Sequence, residues 1–513
     1  MTPAGTGRAG LAGIGLSITC FLVTAVLGPS AMEPEMRGSG PPFSLTAHPS
    51  PYLVIGLVAS GVLLAALGLG MCLHAVGRGW RPHPGRLLAA GLLATAAFAV
   101  MPPVGSADHL NYAAYGRMVL TGHDPYTTRA VDLPADPVMR AVQEWRETPS
   151  VYGPIATGQQ ALASWIGGDS VRLTVFVLSL SGALAFALVG LILYRFGDPV
   201  RSTLFWTLNP LMLFHLVSGA HNDTLGIAVG VLALVVFAGR PRSRPQDVSL
   251  SGGSSPVRQC DPPPAVPLSV PFSVPRALLA GALAGAGAAF KLPAALVGGG
   301  PAWVLLRRRA VLPLVALFGA AGLVAFGSYT LVGWHAFDQV RRVSSAVSFA
   351  TPWHLVDVAL GRGAQRPVIQ AAALLLLVGL AVLLARALPC DEGFEGHRVA
   401  AALTLAWLFA APYALPWYDG LGWAVLALLP WSRFDWPLLA RTALLSLAYL
   451  PARAPEITRL PDDLAWLFTV LRSVVVPCLL AGVLVALVTQ ALRRPRPVPG
   501  PAPTPRAKAG SRG

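Results

Sequence analysis

The sequence predicts an all-α polytopic membrane protein, and three observations predict it. First, 54% of residues are hydrophobic and only 12% charged, about half the charged fraction of a soluble domain. Second, apolar runs recur along the chain at close to the ~20 residues that span a bilayer. Third, arginines sit in the short links between those runs, as the positive-inside rule expects of cytoplasmic loops. Lipid admits only helices or closed barrels, and these runs are too long and too continuously apolar for barrel strands. The net charge of +15 therefore reads as topology rather than as nucleic-acid binding.

The runs give about 13–14 transmembrane helices. Residues 11–28 follow Arg8. Gly28-Pro29-Ser30-Ala31 resembles a signal-peptide cleavage region, but an uncleaved first helix is preferred. Residues 52–76 return inward to a loop with Arg78, Arg81 and Arg86, and 87–103 go out. Residues 104–170 are a large first extracytoplasmic loop. Within it a short helix runs from Asp108 to Thr121-Gly122 and places Asp108, Tyr112 and Tyr115 on one face. Residues 155–166 are weakly amphipathic and suit the membrane surface.

Residues 171–194 go in, 202–218 go out to the short turn Ser218–Asp223, and 224–239 go in. The Pro-, Ser- and Arg-rich stretch 240–275 reads as a disordered cytoplasmic linker between membrane halves 1–239 and 276–491. Residues 276–306 read as two short spans meeting outside near Lys291, because one long span would leave Arg307, Arg308 and Arg309 outside. Residues 311–333 go out to a loop at 334–366. Runs at 367–388, 398–414, 420–432, 437–451 and 465–490 then alternate, and the basic tail 492–513 reads as disordered and cytoplasmic. The expected location is the plasma (inner) membrane, multi-pass, surrounded by membrane lipids.

Cys20, Cys72 and Cys478 lie in apolar runs, and Cys260 and Cys390 in segments placed inside. With no CxxC, the reading is no disulfide and no structural metal site. There is no Walker loop, HExxH or GxSxG, so those enzyme classes have no support.

On this topology the unusual polar groups collect on the outer side. Asp108, His109 and Asn111 open the large loop; His221, Asn222 and Asp223 fill a tight turn; Lys291 lies at another. Arg341 and Arg342 fall in the loop 334–366, and Tyr418 and Asp419 follow Leu415-Pro416-Trp417. A charge at membrane depth costs about 2.5–3.5 kcal/mol on insertion scales, so such groups mark a function or a pair. Each also has a structural alternative. Asp108 fits a helix N-cap, His221-Asn222-Asp223 a capping turn, Lys291 an interfacial anchor, and the tyrosines the aromatic belt. Lys291 is one of only two lysines, with Lys508.

Four stretches together, DHLNYAAYGRM (108–118), VYGP (151–154), LNPLMLFHLVSGAHND (208–223) and FKLPAAL (290–296), resemble the actinobacterial polyprenol-phosphomannose-dependent α-1,6-mannosyltransferases. These are membrane glycosyltransferases of the GT-C fold, and the likeness is clearest over residues 87–300. It implies a GT-C-like helical bundle, a polyprenyl-phosphate-mannose donor, and a growing lipid-linked mannan as acceptor at the outer face.

On that resemblance Asp108 matches the family's acidic residue and is expected to be the general base of an inverting transfer. Lys291, with Arg341 or Arg342, is expected to hold the leaving phosphate. His221, Asn222 and Asp223 are expected to bind sugar hydroxyls or to orient the phosphate, and Tyr112 and Tyr115 to lie at sugar faces, with His109, Asn111 and Tyr418 also lining the site. A divalent cation stays open: Asp108 or His109 with Asp223 are the residues it would use, but no ligand spacing demands one. The alternatives are another polyprenyl-phosphate sugar, such as arabinose or glucose, or a non-enzymatic lipid-linked sugar transporter, which would place ionisable groups at the bilayer midplane.

Overall fold

The computed structural model describes residues 1–239, 273–389, 394–458 and 460–493, and among them every regular element is helical. Most of the linker 240–275 and of the tail 492–513, with Cys260 and Cys390, falls outside the described residues. Cys20, Cys72 and Cys478 are free thiols.

Six helices are long and apolar enough to cross a membrane: Pro3–Leu27 (α1), Pro51–Gly77 (α2), Val171–Phe196, Val311–Val332, Arg366–Ala387 and Asp462–Leu492. Four shorter apolar ones are Pro84–Ala99 (α3), Asp223–Ala238, Val274–Phe290 and Leu292–Arg307. Their starts follow local chemistry. Thr2 and Ser50 accept from the backbone N–H groups of Gly5 and Leu53, each with proline at the first helical position. α1 and α2 approach closely through small residues: a Cβ at Gly10 would lie 2.8 Å from the Gly68 carbonyl oxygen. With no hydrophobic drive between helices in lipid, such close backbone packing holds them together. Val311–Val332 instead leaves Leu323 and Leu331 exposed at 77% and 88%, an apolar surface suited to acyl chains.

Two breaks shape the functional end. Residues 202–218 read in sequence as one continuous span, but the chain is broken there. Thr203–Thr207 and Leu213–Ser218 are π-helical, with a break at Leu208-Asn209 and a short α-helical turn, Pro210–Met212, between them. Pro210 has no N–H to continue the ladder. Asn209 repairs the break, accepting from Leu211 and Met212 N–H and donating Nδ2 to the Phe205 carbonyl at 3.2 Å. Buried Arg201 anchors this segment to Asp435 through two bonds of 2.6 and 2.8 Å, its guanidinium 4.0 Å from the Phe205 ring.

The second break is at Lys291, where the backbone is extended (φ −155°, ψ 120°) between Val274–Phe290 and a 3-10 turn, Leu292–Gly298. Ala294 lies against Gly287, and Ala284 against Gly298, so the chain doubles back at Lys291. That reversal is the reading the arginine distribution gives.

Candidate active site

The helix Asp108–Leu120 (α4) begins where Ser106 Oγ accepts the Asp108 N–H at 3.1 Å. Asp108 is the first helical residue and its side chain caps nothing. The helix-cap alternative therefore falls away. Its carboxyl, 16% exposed, lies 3.7 Å from His221 Nδ1. One turn on, the Tyr112 hydroxyl is 3.4 Å from the same nitrogen and receives a 3.4 Å bond from the Tyr152 hydroxyl. His221 stacks on Trp417 with ring centres 3.6 Å apart.

Lys291 Nζ sits 2.7 Å from both Asp223 oxygens and 4.3 Å from the Tyr418 ring centre. A crevice leads from this ion pair between Ile227, Ala294, Trp407 and Leu421. Asp108, Tyr112, His221, Asp223, Lys291 and Tyr418 thus converge at one end of the bundle from segments far apart in sequence.

Electrostatics follow from burial. Desolvation pushes the Asp108 carboxyl up to about 7; Lys291 pulls it down, while Glu144 and Asp223 push it further up. Burial, then the Lys291 charge, holds His221 well below its ordinary value, so the imidazole is neutral. His109 is lowered to about 3, first by burial and then by Arg453.

The other expected residues are placed differently. His109 is fully buried, and neither ring nitrogen has a partner among the described residues. Asn111 and Asn222 are buried, and Nδ2 of each, with Oδ1 of Asn222, lacks a hydrogen bond there. Tyr115 donates to the Thr148 carbonyl at 2.9 Å and lies beside Tyr152 rather than at His221. Arg341 and Arg342 lie exposed on the helix Ala336–Ser344. That helix begins against Tyr126 and Tyr329. Asp419 pairs with Arg441 and accepts from Thr442 at 2.8 Å, a buried tie between helices. Among the described residues no three His, Cys, Asp or Glu side chains converge as a metal site; Asp223 is matched by an ammonium instead.

Sequence reading missed Tyr152 and Trp417 as site residues. Tyr152 had a signal in VYGP, and the structure supplies its reason. Gly153 donates to the Phe290 carbonyl at 3.2 Å, and a Cβ there would overlap the carbonyl oxygen of Ala289. Glycine is needed for the backbone approach that brings Tyr152 beside Lys291, its ring centre 5.9 Å from Nζ. Trp417 had only its place after Pro416.

Fold and site together define a helical polytopic membrane protein with a carboxylate, a compensated ammonium and a ring of aromatic faces at one end. Residues 10–307, more than half of the chain, match the family described as "Alpha-(1->6)-mannopyranosyltransferase, N-terminal domain", and the chain belongs to that family.

Among named relatives, it is 31% identical over 194 residues to alpha-(1->6)-mannopyranosyltransferase A of Mycobacterium tuberculosis, covering 35% of this chain and 37% of that one. It is 28% identical over 139 residues to the corresponding protein of Corynebacterium glutamicum, covering 26% and 28%. A further Mycobacterium tuberculosis alpha-(1->6)-mannopyranosyltransferase is 27% identical over 396 residues, covering 65% and 63%. The chain thus spans less than two thirds of the length of each of these relatives. No solved structure matches.

Proposed function

We propose that the chain transfers mannose from polyprenyl-phosphate-mannose to a lipid-linked mannan, forming an α-1,6 linkage on the outer face of the plasma membrane. The family membership supports the reaction class. The observation that carries the site is the Asp108 carboxyl, poised near neutral pH beside a neutral imidazole that stacks on Trp417.

Asp108 takes the proton from the acceptor 6-hydroxyl. A base whose pKa lies near the working pH combines availability with driving force. As the acceptor oxygen attacks the anomeric carbon, the bond to the phosphate oxygen breaks and its electron pair leaves with the phosphate. A β-linked donor gives an α product by inversion, so one carboxylate suffices and no covalent intermediate forms. His221, bracketed by Tyr112 and Trp417, fixes the position of Asp108.

Lys291 takes a role different from the one its sequence suggests. Both oxygens of Asp223 already match its charge. The pair therefore suits sugar hydroxyls, which need a donor and an acceptor side by side, better than a phosphate. The rings of Tyr112, Tyr152 and Tyr418 offer faces for the sugar. The transporter alternative expects ionisable groups spread along a midplane path, whereas these gather at one end of the bundle.

The test is transfer in vitro by the purified full chain with a defined polyprenyl carrier, followed by linkage analysis of the product. An α-1,6-linked mannose is expected. Transfer of arabinose or glucose in its place would move the chain to the alternative donor.

A further inference from the structure

The last apolar stretch, Asp462–Leu492, is long enough to cross a membrane, yet it carries Arg472. No other residue between Leu464 and Leu492 is charged. An ionisable group in such a stretch is costly in lipid and marks either a pair or a function. Among the described residues Arg472 makes no ion pair. It donates from Nε to the Ala448 carbonyl at 2.5 Å and from Nη2 to the Pro451 carbonyl at 3.2 Å. Nη1 has no hydrogen-bond partner among the described residues.

The guanidinium is held in place by its surroundings. Two carbonyls fix its fork, and the rings of Phe468 and Tyr449 lie 4.5 and 5.6 Å from it. Around it the helix opens to π geometry over Leu467–Val475, an arrangement frequent at functional sites. Glu144, an acid within electrostatic reach, is engaged elsewhere. It accepts the Ala454 N–H at 3.0 Å and lies 3.7 Å from Arg453.

Arg472 is also linked to the Asp108 cluster through ring contacts, its guanidinium 5.6 Å from the Tyr449 ring. Tyr449 meets Trp417 edge to face at 5.1 Å, Trp417 stacks on His221, and His221 touches Asp108. This line of contacts has a carboxylate at one end and, at the other, a guanidinium that makes no ion pair among the described residues. An inverting displacement needs that polarity, since base and leaving group work on opposite faces of the sugar ring. Guanidinium groups also match phosphate oxygens in geometry as well as charge.

We propose that Arg472 binds a lipid-linked phosphate at this site, presenting Nη1 to its oxygens. This rests on the transferase reading above. The chemistry required is a phosphate ester on a lipid, from either the sugar donor or a phospholipid anchor of the acceptor. In the donor case the electron pair of the broken bond between the anomeric carbon and oxygen settles on the phosphate, and Arg472 stabilises it without being altered.

The test measures binding without turnover, using the full chain in lipid nanodiscs. Arg472→Gln should weaken undecaprenyl phosphate about tenfold or more and leave undecaprenol unchanged, with Arg472→Lys between. If the anchor is the source, the same loss appears for phosphatidylinositol against diacylglycerol. Unchanged affinity for both phosphates in folded Arg472→Gln overturns the proposal. Wild-type protein that prefers neither phosphate to its neutral counterpart contradicts the donor reading itself and overturns the proposal with it.

A second measurement needs no variant. Undecaprenyl phosphate or phosphatidylinositol should protect Arg472 of the wild-type chain from phenylglyoxal, read by peptide mass spectrometry. Equal labelling with and without both phosphates counts against it.

Discussion

Lys291 Nζ lies 2.7 Å from both carboxylate oxygens of Asp223, joining two residues 68 positions apart. One end of the helical hairpin Val274–Arg307 is thereby pinned to the start of Asp223–Ala238. The pair faces the crevice, so it serves both the architecture and the site.

Breaking it should cost more than deleting it. Lys291→Met leaves an unmatched carboxylate that is only 8% exposed, with an expected loss of about 3 kcal/mol, the low end for a buried pair because Lys291 is itself 21% exposed. The double variant Lys291→Met/Asp223→Leu should recover most of that loss while remaining impaired in transfer. Thermal unfolding in detergent, followed beside activity, checks both statements.

The Asp108 carboxyl, raised to about 7, sets the pH behaviour. On its proposed role as base the carboxylate is the working form, so kcat/KM should rise through about pH 7 and fall below it. Stability has the opposite sign. A carboxyl whose folded pKa exceeds its unfolded value of 3.8 holds more protons when folded, so it loses stability as pH climbs from about 4 to 7. Asp108→Asn should therefore match wild type in thermal stability at pH 4 and exceed it at pH 8.

His221→Phe keeps a ring against Trp417 but removes the nitrogen near Asp108. Unfolding should change little, while kcat falls roughly tenfold and donor KM stays nearly constant. A change in KM alone would assign His221 to substrate binding and not to the base.

Gly153→Ala should disrupt the contact with Ala289 and move Tyr152 off Lys291. An activity loss of at least about tenfold, or failure to fold, is expected. Arg341→Ala and Arg342→Ala should keep transfer within about twofold, because both side chains are exposed and surface substitutions usually have small effects.

Much of this was legible in the residues. Composition and arginine placement gave the helical membrane class, and the scarcity of lysine singled out Lys291. Helical periodicity put Asp108 and Tyr112 on one face, and the structure brings both to His221. What escaped depends on contacts between distant segments. Trp417 and Arg472 are linked to Asp108 through the ring contacts of His221, Trp417 and Tyr449, which no local pattern encodes. The break at Asn209 hid because a hydropathy run does not record which carbonyls a side-chain amide can satisfy.

The most direct measurement is mannose transfer from labelled polyprenyl-phosphate-mannose by purified Asp108→Asn, normalised to folded protein. The account predicts loss of at least about a hundredfold in kcat, with donor binding retained. Activity within a few-fold of wild type would contradict it.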